Sequence, residues 1–231
     1  MADPLSVLVF GASRGIGRAT ARRYQELGHH VAGTRRPGGS VPDGVLDLEA
    51  DITNTSSIAA AHDAAIAAHG ALDVLVVASG ITRDSFLLRM SDEDLRDVIE
   101  TNLIGPINVV RCAWRSMWRA RKGSVVLLSS TGAKVGQSAQ ANYTASKAGL
   151  EGFIRSASRE GAKRGIRINA LAPGATDTDM LKAVPDAVLE RMKDGIPMGR
   201  ISTEDEIAAA IIDYAAMTYV TGQTLYVSGG V

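Results

Sequence analysis

Tyr143 and Lys147 stand four residues apart in the run Asn142-Tyr143-Thr144-Ala145-Ser146-Lys147-Ala148-Gly149. On a helix that spacing puts both side chains on one face, where they reach a common ligand. A free phenol titrates near about 10, so at neutral pH it exchanges its proton reluctantly. An ammonium about 4 Å away, at an effective dielectric near 20, supplies about 4 kcal/mol of preference for the phenolate. At 1.36 kcal/mol per unit, that brings the phenol down by about three units. The expectation is a tyrosine activated by its lysine and able to hand a proton to a carbonyl oxygen. The same spacing also occurs on exposed helix faces with no chemistry, so the surrounding elements must decide.

Those elements begin with Leu5-Ser6-Val7-Leu8-Val9-Phe10, a short apolar run that fits a buried strand. Gly11-Ala12-Ser13-Arg14-Gly15-Ile16-Gly17 follows at once, and residues 18–27 read as a helix. Strand, glycine turn and helix make a phosphate cradle. Gly11 permits the sharp turn, Gly15 lets backbone approach a pyrophosphate, and Gly17 lets helix and sheet pack closely. The helix N-terminus adds free N–H groups and a dipole that favours an anion. The next strand, His30-Val31-Ala32-Gly33-Thr34, ends in Arg35-Arg36 where an NAD-binding chain carries an acidic residue for the ribose 2′-hydroxyl. Arginine suits a 2′-phosphate, and Arg14 in the turn faces the same place, so the expected cofactor is NADP(H).

With these residues in place, the chain resembles the short-chain dehydrogenase/reductase family over essentially its whole length, in the branch of the 3-oxoacyl-[acyl-carrier-protein] reductases. The resemblance rests on Gly11, Gly15 and Gly17 as that family's glycine turn and on Tyr143 and Lys147 as its catalytic signature. Ser130, thirteen residues before Tyr143, matches the catalytic serine, and Asn102 in Glu100-Thr101-Asn102-Leu103 matches the fourth member of the tetrad. Asp51-Ile52 looks like the adenine contact, and Pro173-Gly174-Ala175-Thr176-Asp177-Thr178 like the cradle of the nicotinamide. The resemblance implies cofactor contacts at Ser13, Ile16, Ala78, Ser79, Gly80, Thr176 and Thr178 as well. It implies that Tyr143 protonates the carbonyl oxygen as hydride reaches the carbon. Lys147 lowers the tyrosine pKa and holds the ribose, Ser130 polarises the carbonyl, and Asn102 anchors a water that relays protons to Lys147.

The chain departs from the family pattern at Phe10, where Thr is usual, and at Val77-Ala78-Ser79, where Asn-Asn-Ala is usual. Asparagine there ties strands together, and each lost hydrogen bond costs about 1 kcal/mol, more where a buried partner is stranded. The tetrad is intact, so the chain reads as an active enzyme.

The whole chain sets the frame. It has 231 residues, 45% hydrophobic and 22% charged, which suits one domain over 1–231 with a sizeable core. Strand candidates centre on Val7, Val31, Leu46, Val76, Val126, Ile168 and Leu225 with helical patterns between most of them. The expected fold is α/β: a single Rossmann-type doubly wound domain with a parallel sheet of about seven strands. Ligands in such sheets sit beyond the carboxyl ends of the strands, which brings Gly11, Asp51, Gly80, Ser130 and Pro173 to one edge. Ser91-Asp92-Glu93-Asp94 and Ser202-Thr203-Glu204-Asp205 read as helix caps. A formal net charge of zero argues against nucleic-acid binding. No apolar run approaches the ~20 residues that span a bilayer. The start at Met1-Ala2-Asp3-Pro4 lacks a basic leader, and Cys112 is alone, so a cytoplasmic location without a disulfide is expected. His29, His30, His62 and His69 lack metal-ligand spacing and read as solvated helix or loop residues.

Substrate and partner follow from the family branch. Its substrate arrives on an acidic acyl carrier protein, and Arg121 and Arg164 fall where basic residues meet that carrier, with Arg115, Arg119, Lys122, Lys163 and Arg167 near them in sequence. Residues 179–199, with Met180, Leu181, Val184, Leu189, Met192, Ile196 and Met198, match the family's substrate lid. The helix carrying Tyr143 and the long helix from Leu95 to Met117 imply a homotetramer. A CoA thioester or another small ketone or alcohol remains open as substrate, as does a non-catalytic NADP(H)-binding subunit.

Overall fold

A computed structural model describes residues 3–182 and 186–231. Seven strands form one parallel sheet: β1 (Ser6–Phe10), β2 (His30–Arg35), β3 (Leu46–Glu49), β4 (Val74–Val77), β5 (Gly123–Leu128), β6 (Ile166–Pro173) and β7 (Thr224–Val227). Their order is β3-β2-β1-β4-β5-β6-β7, every pair parallel. All seven candidate centres fall within these strands. β1, β4 and β5 are buried at every position, which is why they read as unbroken apolar runs and not as alternating ones. The strand order reverses between β1 and β4, so the crevice for a ligand opens there.

Helices α1 (Gly15–Glu26), α2 (Thr55–His69), α3 (Asp92–Ile99), α4 (Gly105–Ala120), α5 (Gly132–Val135), α6 (Ala141–Gly161), α7 (Asp179–Lys182), α8 (Asp186–Asp194) and α9 (Glu204–Ala216) make the crossovers and the covering layers. One apolar cluster joins Ile58 of α2, Val109, Val110 and Met117 of α4, and Leu150 and Ile154 of α6 to one sheet face. A second joins Tyr24 of α1 and Ile207, Ile211 and Tyr214 of α9 to the other. Helix starts are marked by side-chain caps: Asn54 accepts from Ser56 and Ser57 amides, and Ser91 from the Asp94 amide. The acidic run at 202–205 is a cap too, through Thr203, which exchanges hydrogen bonds with Glu206 in a capping box.

His62 departs from expectation. It is buried, with Nε2 3.1 Å from Ser116 Oγ and Nδ1 3.1 Å from Asp63. The helix periodicity aims it inward toward α4. His30 and His69 stack on each other with ring centroids 5.6 Å apart. Among the described residues no cluster of metal-ligating side chains is found, and no helix is long and apolar enough to cross a membrane.

The two departures from the family pattern turn out to be neighbours. Phe10 of β1 and Val77 of β4 are register partners, both buried, and both belong to the same apolar cluster. The polar residues usual at these positions are thus replaced by an apolar pair in contact. Among the described residues, the buried side-chain atoms without a hydrogen-bond partner are His69 Nδ1, Thr144 Oγ1, Arg167 Nε and Tyr214 OH. None lies on β1, β4 or the strands flanking them, so the substitution strands no polar group in the seam.

Candidate active site

The glycine turn closes tightly at the end of β1. Gly11 has φ +87°, its amide donates to Thr34 Oγ1 at 3.0 Å, and the Ala12 amide donates to the Thr34 carbonyl at 2.8 Å. A Cβ on Gly17 would lie 2.1 Å from the Gly11 carbonyl oxygen, so no larger residue fits there. Arg14 occupies the N-cap of α1 without supplying a side-chain acceptor. The first-turn amides of α1 are therefore left to a ligand, and the cradle fits a dinucleotide pyrophosphate. Ser79 leans over the turn: a Cβ on Gly11 would lie 2.7 Å from Ser79 Oγ. On the opposite side, a Cβ on Gly15 would come within 3.8 Å of both Thr178 and Glu204. Ile16 and Ala78 pack against the second apolar cluster.

The two arginines after β2 have different surroundings. Arg35 is held by Asp47 at 2.9 Å and Glu49 at 2.6 Å, both on β3. That pair of carboxylates engages its guanidinium, so Arg35 is less available to a phosphate than the sequence implies. Arg36 is exposed and near enough to Asp51 to help hold that carboxyl below its usual range, after the stronger effect of the Thr53 amide and hydroxyl. The loop beyond it folds back, and a Cβ on Gly39 would lie 3.3 Å from Ser13 Cβ and from the Arg36 carbonyl. Arg36 and the exposed Arg14 thus border the same end of the cradle. Ile52 is buried beside Asp51.

The catalytic candidates converge where β5 meets α6. Lys147 is buried, and its Nζ donates to the Leu128 carbonyl at 2.7 Å and sits 5.7 Å from the centre of the Tyr143 ring. A Cβ on Gly80 would lie 3.4 Å from Asn102 Oδ1 and 3.6 Å from Lys147 Nζ, which brings these three residues together. Ser130 Oγ accepts from the Gly132 amide at 3.1 Å, which leaves its own proton free to donate. Pro173 and Gly174 are pinned alongside: the Thr131 amide donates to the Pro173 carbonyl, and the Gly174 amide to the Val227 carbonyl. Thr176 Oγ1 lies 2.9 Å from Ser202 Oγ.

One expectation changes here. Burial pushes the Tyr143 phenol up, not down; a hydrogen bond from Ser130 opposes this, and the charge of Asp84 adds to it. Lys147 is itself brought down to about 8 by burial. The lysine donates to the Leu128 carbonyl, and burial, not the lysine's charge, sets the direction of the phenol's shift in this geometry. Asn102 sits in a π-helical turn (Glu100–Ile104) joining α3 and α4. Its side chain clamps the backbone of Ile81, with Oδ1 accepting from the amide and Nδ2 donating to the carbonyl, each at 2.8 Å. The amide thus ties the segment after β4 to the turn that leads into α4.

One group of residues escaped the sequence reading. Glu151, buried, accepts from Ser129 Oγ at 2.7 Å and from Tyr226 OH at 3.1 Å. Lys134 Nζ stands 5.0 Å from the Tyr226 ring centre. Glu151 lies one turn beyond Lys147, so the spacing that singled out Tyr143 and Lys147 extends to it. Ser129 adjoins Ser130. The missed signal was therefore a second i+4 step on the same helix face.

Arg121 and Arg164 are brought together, although 43 residues separate them in sequence. A Cβ on Gly165 would lie 2.5 Å from the Arg121 carbonyl, and the Arg164 guanidinium sits 4.6 Å over the Trp118 ring. Lys122 is tied to Asp73 at 2.6 Å and Arg167 to the Ala215 carbonyl at 2.9 Å. Of the lid residues, Ile196 is buried against Gly229 while Met198 is exposed; Val184 and the Met180 side chain lie outside the described residues.

Comparison with known proteins agrees with this geometry. The family model described as enoyl-(acyl carrier protein) reductase matches residues 11–231. The 3-oxoacyl-[acyl-carrier-protein] reductase FabG of Staphylococcus aureus (strain N315) is 40% identical over 238 residues, covering 97% of both chains. The reductase of the same name from Escherichia coli (strain K12) is 40% identical over 96% of this chain and 95% of its own. The 3-oxoacyl-[acyl-carrier-protein] reductase MabA of Mycobacterium avium is 39% identical over 97% of this chain and 89% of its own.

Proposed function

The chain belongs to the short-chain dehydrogenase/reductase family, and on that premise we propose that it reduces 3-oxoacyl groups carried on acyl carrier protein to the 3-hydroxyacyl form, with NADPH, during fatty-acid or related polyketide chain elongation. The observation that carries this reading is the meeting of Ser130, Tyr143 and Lys147 at the strand ends beside the glycine turn. Bound NADPH supplies the hydride. The chain's own groups handle the oxygen. Tyr143, held protonated by burial, gives its proton to the carbonyl oxygen as negative charge develops there. The Ser130 hydroxyl, fixed by the Gly132 amide, donates to the same oxygen. Lys147 keeps a positive charge at neutral pH, with its pKa near about 8, and favours the anionic state that Tyr143 passes through. A phenol raised above its ordinary value suits reduction, because the acid form is the one present at neutral pH.

Arg36 and Arg14 are the cations available to a 2′-phosphate, which supports NADPH over NADH. Replacing Arg36 by alanine should weaken NADPH binding about tenfold, as one charge-assisted contact is lost, and leave NADH unchanged. Equal losses for both cofactors would refute this role. Arg121 and Arg164 receive the acidic carrier, the outward faces of α4 and α6 pair copies into a homotetramer, and the working location is the cytoplasm. The deciding assay follows NADPH oxidation with acetoacetyl groups on carrier protein, on CoA and on bare pantetheine. The carrier-bound form should show the highest kcat/KM; turnover of none of the three would overturn the reading.

A further inference from the structure

Three successive residues at the end of β5 are gripped by one face of α6. The Leu128 carbonyl accepts from Lys147 Nζ at 2.7 Å, Ser129 Oγ donates to Glu151 Oε1 at 2.7 Å, and Ser130 hydrogen-bonds the Tyr143 phenol. Tyr143, Lys147 and Glu151 stand four residues apart along the helix, so their side chains follow one another along a single face. Tyr143 and Lys147 belong to the tetrad. Glu151 takes no part in proton transfer or in polarising the carbonyl, and it sits where packing calls for an apolar residue. Val125 and Leu127 share a cluster with Leu150 and Ile154 of α6, and alternation along the strand carries that face on to Ser129. Glu151 is buried, and it also accepts from Tyr226 OH, 3.1 Å from Oε2 and 3.3 Å from Oε1. Tyr226 pairs in register with Ala172 of β6. Two hydroxyls thus hold the carboxylate, with no ion pair to it among the described residues. Such a group adds little stability over a well-packed leucine, so its contribution is the direction of its hydrogen bonds.

We propose that Glu151, bonded to Ser129 and Tyr226, is a positioning residue that fixes the Ser130 hydroxyl relative to the helix carrying Tyr143. The inference rests on the reading of Ser130 and Tyr143 as the groups that meet the carbonyl oxygen. Both must reach one oxygen atom at once, and a displacement of about 1 Å costs about 10²-fold in rate. The sheet does not fix their separation by itself. The Ser129 amide donates to the Leu171 carbonyl at 2.8 Å and the Thr131 amide to the Pro173 carbonyl at 3.0 Å, which sets Ser130 against β6. Its spacing from α6 needs a bond between strand and helix, and the Ser129 side chain makes that bond one residue away from the serine that polarises the carbonyl. Tyr226 in turn restrains the carboxylate from β7, with Lys134 of α5 5.0 Å from the centre of its ring. A donor held in this way needs no reorientation when charge develops on the oxygen.

Double variants test the proposal, assayed on the full chain with NADPH and acetoacetyl-pantetheine. Ser130→Ala should lower kcat about 10²-fold, as one preorganised donor is lost. Ser129→Ala removes the hydroxyl that Glu151 holds and leaves Ser130 in place; kcat should fall about tenfold with KM for NADPH unchanged. A positioning residue acts only through the group it positions, so Ser129→Ala added to Ser130→Ala should lower kcat no further. Tyr226→Phe keeps the ring beside Lys134 and removes only the second hydroxyl. It should lower kcat about threefold, again with no effect in the Ser130→Ala background, and it carries the test where circular dichroism shows Ser129→Ala unfolded. Losses that multiply in the double variants would reveal a route that bypasses Ser130 and would overturn the proposal. So would Ser129→Ala and Tyr226→Phe chains that turn over like the parent while Ser130→Ala is impaired, an outcome that leaves the catalytic reading of Ser130 standing. Parental turnover by Ser130→Ala would remove that catalytic reading, and the proposal with it.

Discussion

Two seams of the same sheet are joined by opposite means. Between β1 and β4, under the dinucleotide cradle, Phe10 and Val77 meet as an apolar pair inside a continuous hydrophobic cluster. Between β5, α6 and β7, behind the tetrad, Ser129, Glu151 and Tyr226 form a buried polar link. The first seam tolerates apolar residues because the strand carbonyls and amides already satisfy one another and leave nothing for a side chain to cap. The second borders Ser130 and Lys147, which must keep defined positions, and hydrogen bonds fix orientation where dispersion forces do not. Packing contributes stability without direction; a bonded carboxylate contributes direction at the risk of a stranded charge.

The comparison breaks most visibly at the tetrad. Tyr143→Phe keeps the ring and removes the proton, so kcat should fall by about 10²–10⁴ with NADPH affinity unchanged, as single-turnover assays and cofactor titration would show. A loss below fivefold would move the proton donor elsewhere. Next comes Phe10→Thr, which opens a cavity and buries a hydroxyl in the apolar seam. Urea unfolding should show a loss of about 3 kcal/mol. If the two departures are coupled, adding Val77→Asn should cost less than its single effect on the parent background; strict additivity would make them independent.

Glu151→Leu should cost about 2 kcal/mol, because the Ser129 and Tyr226 hydroxyls lose their acceptor in a buried place. It should also lower kcat more than it raises KM. Glu151→Gln keeps an acceptor oxygen and should restore most of that kcat; a glutamine variant as impaired as the leucine one would mean that the charge, and not the hydrogen bond, matters. The smallest effect is on pH dependence. Burial brings Lys147 down to about 8, so the ammonium is present below that pH and lost above it. The kcat/KM for NADPH, which reports groups of the free enzyme, should hold steady below about 7 and decline as pH rises through about 8. A plateau extending beyond pH 9.5 would assign the proton to another group.

Much of this architecture was legible in the residues. Unbroken runs such as Val74–Val77 announce strands covered on both faces, and alternation with helical periods leaves a parallel doubly wound sheet as the packing solution. The glycine turn and the Tyr143–Lys147 spacing are local, so sequence distance and spatial distance agree. Legibility failed where contact depends on register or burial. That Phe10 touches Val77 depends on strand pairing across 67 residues. Arg35 reads as an unpaired cation in the sequence, and only the pairing of β2 with β3 sets two carboxylates beside it. The direction of the Tyr143 shift could not be read from a neighbouring charge, because desolvation is a property of everything packed around the ring.

The sequence by itself determined the succession of strands and helices, the cradle, the candidate tetrad and the kind of chemistry it suits, since each depends on residue type at short spacing. Only the tertiary structure decided what surrounds each arginine at the cradle, what holds Ser129 beside Ser130, and that Arg121 and Arg164 join at the edge opposite the candidate tetrad. These depend on how distant segments are brought together, and on where water is excluded when they are. Electrostatic and hydrogen-bonding outcomes follow burial, and burial is settled by the whole fold.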